Sequence, residues 1–262
     1  MIKLTEEDKL KIIRNKPTTK LNRVKKLDLD CGPCYAKFCD NTGAFRELFG
    51  KKIFDIVGIA SADYAFYKEE NCVISSDLLK EYKNFKQTTS LGEVNNLGEL
   101  HKIAMQFNNY DELCIQINIM HFIDMLFGNV DRHTDNYGFS IDEKNNAKLV
   151  VLDNELMLHD YYHATRPVSF PTTSPLAFVT YSHESEMNFF IHNLSEHQQN
   201  LMMHYLKTFN MKNVYMIMRS IERDNKCKFK EKNTLLKNYI TNYVRLYRIM
   251  IESKHAKKEL KW

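Results

Sequence analysis

The sequence predicts an α+β protein with two lobes: a small β-rich lobe over residues 1–78 and a larger helical lobe over residues 79–262. Two observations lead to this prediction. Short apolar runs separated by turn residues dominate the first 80 residues, as expected for strands. From about residue 77 onwards, apolar residues mostly recur at the three- and four-residue spacing that is typical of helices.

The small lobe is predicted to have the order β-β-α-β-β after a short N-terminal amphipathic helix. Its first two strands, 26–29 and 34–39, flank a turn that contains a Gly-Pro dipeptide. The helix that follows is expected to end at Gly58, because glycine is frequent just past a helix C-terminus. Two more strands, 62–67 and 72–76, complete the lobe.

The larger lobe is predicted to be mostly helical with one embedded hairpin. Its helices are expected over 96–108, 111–127 and most of 195–261. Two apolar pieces, 137–141 and 148–152, are separated by a polar turn and indicate the hairpin. Residues 159–182 hold three of the five prolines and several Ser/Thr, so they are expected to form a long loop.

Glycine is scarce in this chain. All 8 glycines lie at or before Gly138, and neither G-x-G-x-x-G nor G-x-x-x-x-G-K-[ST] occurs. The scarcity excludes collagen-like and glycine-punctuated β-barrel architectures. The missing motifs exclude the common glycine-rich phosphate-binding loops, so any nucleotide must be bound without one.

Targeting signals are absent from the sequence pattern. No apolar run approaches the 18 residues of a membrane span, and the N-terminal residues are too charged for a signal peptide. The 6 cysteines are unevenly spread and too few for a disulfide scaffold of this size. These observations predict a cytoplasmic protein with reduced thiols, with a secreted effector exported without a signal peptide as the alternative.

Positive charge is concentrated at both ends of the chain, whose formal net charge is +4. Residues 219–262 carry thirteen Lys/Arg and five Asp/Glu. Such an imbalance is compatible with an anionic partner for the basic segment 226–261, but a solvated helical face rich in lysine is the preferred explanation.

The segment Cys31-Gly32-Pro33-Cys34 matches the C-x-x-C pattern of dithiol redox proteins. In such proteins the motif opens a helix, which lowers the pKa of the first thiol. Here Tyr35-Ala36-Lys37-Phe38 follows and has the pattern of a strand. A tight turn with two incidental thiols is therefore the preferred interpretation, and a redox function remains a weaker alternative.

A second motif supplies the parts of a phosphoryl-transfer site. Asp131 and Asn136 lie five residues apart in a loop after an apolar helix, and Asp153 follows an apolar strand. Phosphoryl transfer needs a carboxylate near the attacking hydroxyl, an amide and a carboxylate for Mg²⁺, and a lysine for the phosphates. Lys37 lies in the middle of a small-lobe strand, and Glu47 in the next helix could pair with it.

Each of these residues has a plainer explanation when it is taken alone. An Asp-x-x-x-x-Asn loop can be a capped turn, Asp153 can start a turn, and Lys37 can be an exposed strand residue. Glu47 can be an i,i+4 partner of Lys51. Their occurrence together, in the expected order and element types, favours a kinase site.

The block Asn129-Val130-Asp131-Arg132-His133-Thr134-Asp135-Asn136, with a strand and a lone Asp153 after it, resembles the HipA-like serine/threonine kinases. These share their catalytic-loop style with the phosphatidylinositol 3/4-kinase-like superfamily. The resemblance is to the compact bacterial form, covers roughly residues 18–205, and implies a bilobal protein-kinase-like fold. The metal Asp lies here in Asp153-Asn154-Glu155, which differs from the D-F-G of protein kinases.

The resemblance implies a role for each site residue and two cofactors, ATP and Mg²⁺. Asp131 would be the catalytic base, and the neighbouring His133 would order the loop or the γ-phosphate. Asn136 and Asp153 would bind Mg²⁺. The remaining nucleotide-binding residues would be Lys37 with its partner Glu47, and the hinge segment that contains Ile74, Ser75 and Asp77. Residues 16–20 would replace the glycine-rich loop over the phosphates.

The predicted function is therefore that of an ATP- and Mg²⁺-dependent serine/threonine kinase that phosphorylates a protein acceptor. Autophosphorylation at Thr18, Thr19 or within 165–174 fits this prediction. Two alternatives stay open. The missing glycines suit a nucleotide-binding pseudokinase or interaction module, and the shared Asp-Arg-His loop suits a lipid or small-molecule kinase.

Overall fold

The computed structural model describes residues 2–17, 23–78, 82, 84–94, 96–129, 132–158 and 184–259. Within these ranges the chain forms eight α-helices and two four-stranded sheets, so the predicted α+β class is confirmed. The predicted loop over 159–182 lies outside the described residues. Among the described residues, no helix has the length and apolar character needed to cross a membrane.

The N-terminal part contains one complete sheet and two helices. Its elements are α1 (Glu6–Arg14), β1 (Val24–Leu29), β2 (Gly32–Phe38), α2 (Asn41–Val57), β3 (Ala60–Ser61), β4 (Tyr64–Tyr67) and β5 (Cys72–Ser76). The first sheet has the order β1-β2-β5-β4, and all its pairs are antiparallel. Helix α2 begins at the N-cap Asp40 and ends at Gly58, whose φ of 76° is the left-handed conformation that glycine adopts most easily.

The remaining part contains the second sheet and six helices. Its elements are β6 (Phe85–Gln87), α3 (Leu97–Ala104), α4 (Tyr110–Phe127), β7 (Tyr137–Ile141), β8 (Ala147–Val151), α5 (Glu184–Asn193), α6 (Glu196–Thr208), α7 (Met211–Asp224) and α8 (Lys232–Glu259). The second sheet has the order β3-β8-β7-β6, so the predicted hairpin forms its centre. The three helices over 196–259 fall within the segment that is predicted to be mostly helical.

Two strands differ from the sequence prediction. The strand predicted over 62–67 begins at Tyr64, and Ala60–Ser61 instead form β3, which pairs in parallel with β8. Phe85–Gln87 form β6 in the stretch before the first predicted helix of the larger lobe, where no strand was predicted. Strands of two or three residues are too short to show a hydrophobic period, and pairing with distant parts of the chain defines them.

Helix α2 connects the first sheet to the main core. Its aromatic side chains pack against the larger lobe: the ring centroid of Phe45 lies 4.6 Å from that of Phe229, and Phe49 lies 5.3 Å from Phe127. The other face of the first sheet packs with Ile12 of α1 in a separate, smaller apolar cluster. Helix α2 therefore has its position determined by the core of the larger lobe.

Gly50 marks a close approach on α2. A Cβ atom at this position would lie 2.3 Å from the Cβ of Asn154, which follows β8. Glycine costs a helix interior about 1 kcal/mol relative to alanine, so its presence here requires a reason. The reason is space, because any side chain at this position would displace the segment that carries Asp153.

We expect Gly50→Ala to destabilise the protein by about 1–3 kcal/mol, because overpacking outweighs the gain in helix propensity. Urea unfolding followed by circular dichroism measures this change. Lys52→Ala, on the exposed side of the same helix, serves as the control and should change stability by less than about 0.5 kcal/mol. Unchanged or increased stability of Gly50→Ala would contradict the packing described.

Candidate functional site

A cleft of about 560 Å³ opens between the two sheets. This volume is within the usual range for small-molecule sites, about 300–1,000 Å³. Apolar side chains, among them Val24, Tyr64 and Leu152, line part of its wall. Six of the predicted site residues also line it: Lys37, Glu47, Ser75, Asp77, Asn136 and Asp153.

Lys37 lies at the centre of the polar side of the cleft. Strand β2 pairs with a strand on each side, which fixes the direction of the lysine side chain. Its Nζ lies 2.6 Å from Glu47 Oε1, 2.8 Å from Asp153 Oδ2 and 3.0 Å from Glu155 Oε2. One cation from the first sheet thus contacts carboxylates from helix α2 and from the segment after β8.

The pKa shifts in this cluster follow from burial and charge. Burial opposes the positive charge of Lys37, but the carboxylates of Glu47, Asp153 and Glu155 outweigh it and raise the pKa of Lys37. Burial raises the pKa of Glu47 to about 7, and the charge of Asp153 adds to this effect. Burial also acts on Asp153, but attraction to Lys37 prevails and lowers the pKa of Asp153.

Asp153 is presented by a sharp turn after β8. Its φ of 40° is unusual for a residue with a side chain and is retained because neighbouring contacts hold it. Its Oδ1 accepts a hydrogen bond from the Glu155 backbone N–H at 3.2 Å. The backbone N–H of Asn154, between these two residues, donates to Glu47 Oε2 at 2.8 Å. Helix α2 and this turn therefore support each other.

Asn136 reaches the same side of the cleft through the β7–β8 hairpin. It ends a short 3₁₀ turn, Thr134–Asn136, directly before β7. Its backbone oxygen accepts a hydrogen bond from Leu152 N–H at 2.8 Å, one residue before Asp153. The hairpin therefore carries the predicted amide and the predicted carboxylate at neighbouring positions.

Arg132, for which no role was predicted, holds the loop that leads to Asn136. Its side chain is 4% exposed, and Nε and Nη2 donate to the two carboxylate oxygens of Asp124 at 3.0 and 3.1 Å. It also donates from Nη1 to Leu152 O at 2.5 Å and from Nη2 to Asn154 Oδ1 at 2.8 Å. The available signal in the sequence for this buried ion pair was an aspartate close to the end of helix α4, in its largely apolar second half.

The structure does not describe Asp131, so the predicted catalytic base lies outside the described residues. His133, two residues on, is partly exposed, and its Nδ1 accepts a hydrogen bond from the Asp135 backbone N–H at 3.2 Å. This contact orients the imidazole ring at the start of the 3₁₀ turn.

The predicted hinge residues divide between the cleft and the core. Ser75 and Asp77 line the cleft, and Asp77 forms an ion pair with Lys26 at 3.0 Å. The side chain of Ile74 is fully buried in the smaller apolar cluster and does not face the cleft. Alternation along β5 explains this division, because neighbouring strand residues point to opposite faces of the sheet.

Glu155 and Arg23 form part of the cluster, although neither was predicted as a site residue. Arg23, immediately before β1, binds the Glu155 carboxylate through both terminal nitrogens at 2.5 Å each. The two residues are 132 positions apart, so no local pattern in the sequence shows their contact.

The side chains present suit a hard divalent cation. Carboxylate oxygens of Glu47, Asp153 and Glu155 all lie within 4.8 Å of one another, and the amide of Asn136 lines the same cleft. Mg²⁺ prefers oxygen ligands and commonly binds one or two carboxylates together with substrate phosphates. The donor set therefore fits Mg²⁺.

The C-x-x-C segment forms the end of the β1–β2 hairpin and does not open a helix, in line with the preferred interpretation as a turn. The sulfur atoms of Cys31 and Cys34 lie 3.5 Å apart. All six cysteines lie in described parts of the chain and are free. Burial raises the pKa of Cys34, the second thiol of the motif, to about 12.

No family model and no curated protein matches the sequence, but solved structures share its fold. The Helicobacter pylori proinflammatory kinase CtkA aligns with a TM-score of 0.61 and 17% identity, over 91% of this chain and 95% of its own. HipA, from the Shewanella oneidensis toxin–antitoxin complex with HipB and operator DNA, aligns with a TM-score of 0.59 and 12% identity. That alignment covers 94% of this chain and 71% of HipA.

The chain has the HipA-like kinase fold. The predicted bilobal, protein-kinase-like architecture is thereby confirmed. At these sequence identities the likeness concerns the fold, so the chemistry must be argued from the cleft itself.

We expect Arg132→Met to destabilise the protein by about 3–5 kcal/mol, because it leaves the buried carboxylate of Asp124 without its charge partner. The double variant Arg132→Met/Asp124→Leu should recover a large part of this loss, since an apolar pair can replace a buried ion pair. Urea unfolding of wild type, both single variants and the double variant measures the coupling. A double variant no more stable than Arg132→Met would contradict a stabilising pair.

Proposed function

We infer that this chain is an ATP- and Mg²⁺-dependent kinase that transfers the γ-phosphoryl group to a serine or threonine hydroxyl of a protein. The observation that carries the proposal is the convergence of Lys37, Glu47 and Asp153 from three elements in one cleft, with Nζ–O distances of 2.6 and 2.8 Å. Such a paired lysine beside a metal-binding aspartate is what phosphoryl transfer requires.

In this proposal each residue has a separate task. Lys37, held by Glu47, binds the nucleotide phosphates, and Asn136 and Asp153 hold Mg²⁺. The bound Mg²⁺ neutralises negative charge on the phosphates. Ser75 and Asp77 lie at the end of β5, where the apolar wall of the cleft can accept the base.

The transfer step uses Asp131 in the role that its motif implies. The acceptor hydroxyl oxygen bonds to the γ-phosphorus as the bond between this phosphorus and the bridging β–γ oxygen breaks. The hydroxyl proton passes to the Asp131 carboxylate, and ADP leaves. His133, oriented by the Asp135 N–H, helps to order this loop.

A protein acceptor is the class that we propose, and the lysine-rich segment 226–261 suits an acceptor with an acidic surface. Part of this positive charge is already compensated within the molecule, because Lys232 pairs with Glu222 at 2.8 Å. The acceptor assay must therefore include both acidic and basic proteins.

We expect the purified protein to transfer radiolabel from γ-labelled ATP to itself or to a protein acceptor. Asp131→Ala should lower this transfer by at least about 100-fold, because a positioned general base contributes about 10²–10⁴ in rate. Asp111→Asn is the matched control. It removes one carboxylate at the exposed start of α4, the opposite end of the helix from the Asp131 loop, and should leave the rate unchanged.

Equal transfer by wild type and Asp131→Ala would contradict the proposed reaction. Phosphatidylinositol vesicles and small alcohols serve as further acceptor arms, and transfer to these alone would overturn the protein-kinase assignment. ATP binding without transfer to any acceptor would indicate a pseudokinase.

A further inference from the structure

We propose that Glu155 is an internal competitor for the nucleotide phosphates. Its carboxylate binds both Arg23 and Lys37, and ATP binding displaces it from these two cations. This inference rests on the proposed function and adds Arg23 as a phosphate-binding residue and Glu155 as a positioning residue.

The geometry of the Arg23–Glu155 contact resembles that of an arginine–phosphate contact. Two parallel N–H groups of the guanidinium reach the two carboxylate oxygens, each at 2.5 Å. The planar guanidinium fork fits carboxylate and phosphate in the same bidentate manner. A phosphate group can therefore replace the Glu155 carboxylate on Arg23 without a new arrangement of donors.

Arg23 and Lys37 are held next to each other by strand pairing. Val24 is the pairing partner of Lys37 in the β1–β2 ladder, and the backbone oxygen of Arg23 accepts a hydrogen bond from Phe38 N–H at 2.9 Å. Both side chains meet at Glu155, with Lys37 Nζ at 3.0 Å from its Oε2. Two neighbouring cations on one carboxylate form a ready site for a polyanion.

Glu155 is fitted into this position by helix α2. A Cβ added at Gly43 would lie 2.9 Å from Glu155 Oε1, so the helix leaves just enough space for the carboxylate. The Glu155 backbone N–H donates to Asp153 Oδ1 at the same time.

The charge of the cluster also opposes a nucleotide as long as Glu155 remains in it. The Glu155 carboxylate contacts both Lys37 and Arg23, so its negative charge lies where the phosphates are proposed to bind. Glu155→Gln removes that charge and weakens the hold on both cations. It should therefore make the binding of a polyphosphate stronger.

The test compares the Kd values of ATP and adenosine by calorimetry, with and without Mg²⁺. Glu155→Gln should lower the Kd of ATP by about three- to tenfold, the effect of one partly exposed charge pair. Arg23→Gln should raise the Kd of ATP in both the wild-type and the Glu155→Gln background. Adenosine, which has no phosphates, should bind equally to all variants.

Asp55→Asn is the control variant. It removes one carboxylate from an exposed ion pair with Lys51 on α2 and should leave the Kd of ATP unchanged. Thermal unfolding confirms that each variant is folded. Arg23 is half-exposed and outside the packed core, so Arg23→Gln and the charge-conserving Arg23→Lys remain informative if Glu155→Gln does not fold.

The ATP affinities of wild type and Glu155→Gln decide whether Glu155 competes with the phosphates. If wild type binds ATP and Glu155→Gln binds it equally or more weakly, the competitor role is wrong. Weaker binding confined to the Mg²⁺ condition would identify Glu155 as a metal ligand instead. Absence of ATP binding by both wild type and Glu155→Gln would contradict the proposed function as well as this inference.

Discussion

The buried ion pair between Arg132 and Asp124 is the interaction on which the cleft depends. The Arg132 guanidinium pairs with Asp124 of α4 and donates to Leu152 O and Asn154 Oδ1 on the segment after β8. Removing both charges from water is costly. Hydrogen bonds to the remaining polar atoms of the guanidinium and the carboxylate are needed to offset that cost. The pair therefore forms when the helix, the loop and the β7–β8 hairpin are all in place, and it fixes their relative positions.

From Arg132 a continuous series of hydrogen bonds reaches the first sheet. Asn154 receives the Arg132 Nη2 donor at 2.8 Å, and its own N–H donates to Glu47 Oε2. The other oxygen of Glu47 contacts Lys37. Gly50 leaves the space that Asn154 needs against α2. The two sheets thus meet across α2 through a few polar contacts inside an otherwise apolar core.

The sequence predicted most of this fold, because its longer elements have clear hydrophobic periods and caps. It did not predict β3 and β6, whose few residues carry no period of their own. Likewise, Lys37, Asn136 and Asp153 follow from a motif with a chemical reason for each residue type. Contacts such as Arg23–Glu155 depend on how distant segments meet in the folded chain, and for this a single sequence offers no local signal.

The central proposal is that this cleft binds ATP through Lys37 and Mg²⁺ through Asn136 and Asp153. A crystal structure with Mg²⁺ and a non-hydrolysable ATP analogue tests that claim most directly. We expect Asn136 and Asp153 to share one Mg²⁺, Lys37 to contact the phosphates, and the base to lie against the end of β5. An analogue bound outside the cleft, or a Mg²⁺ ion held without Asn136 and Asp153, would contradict it.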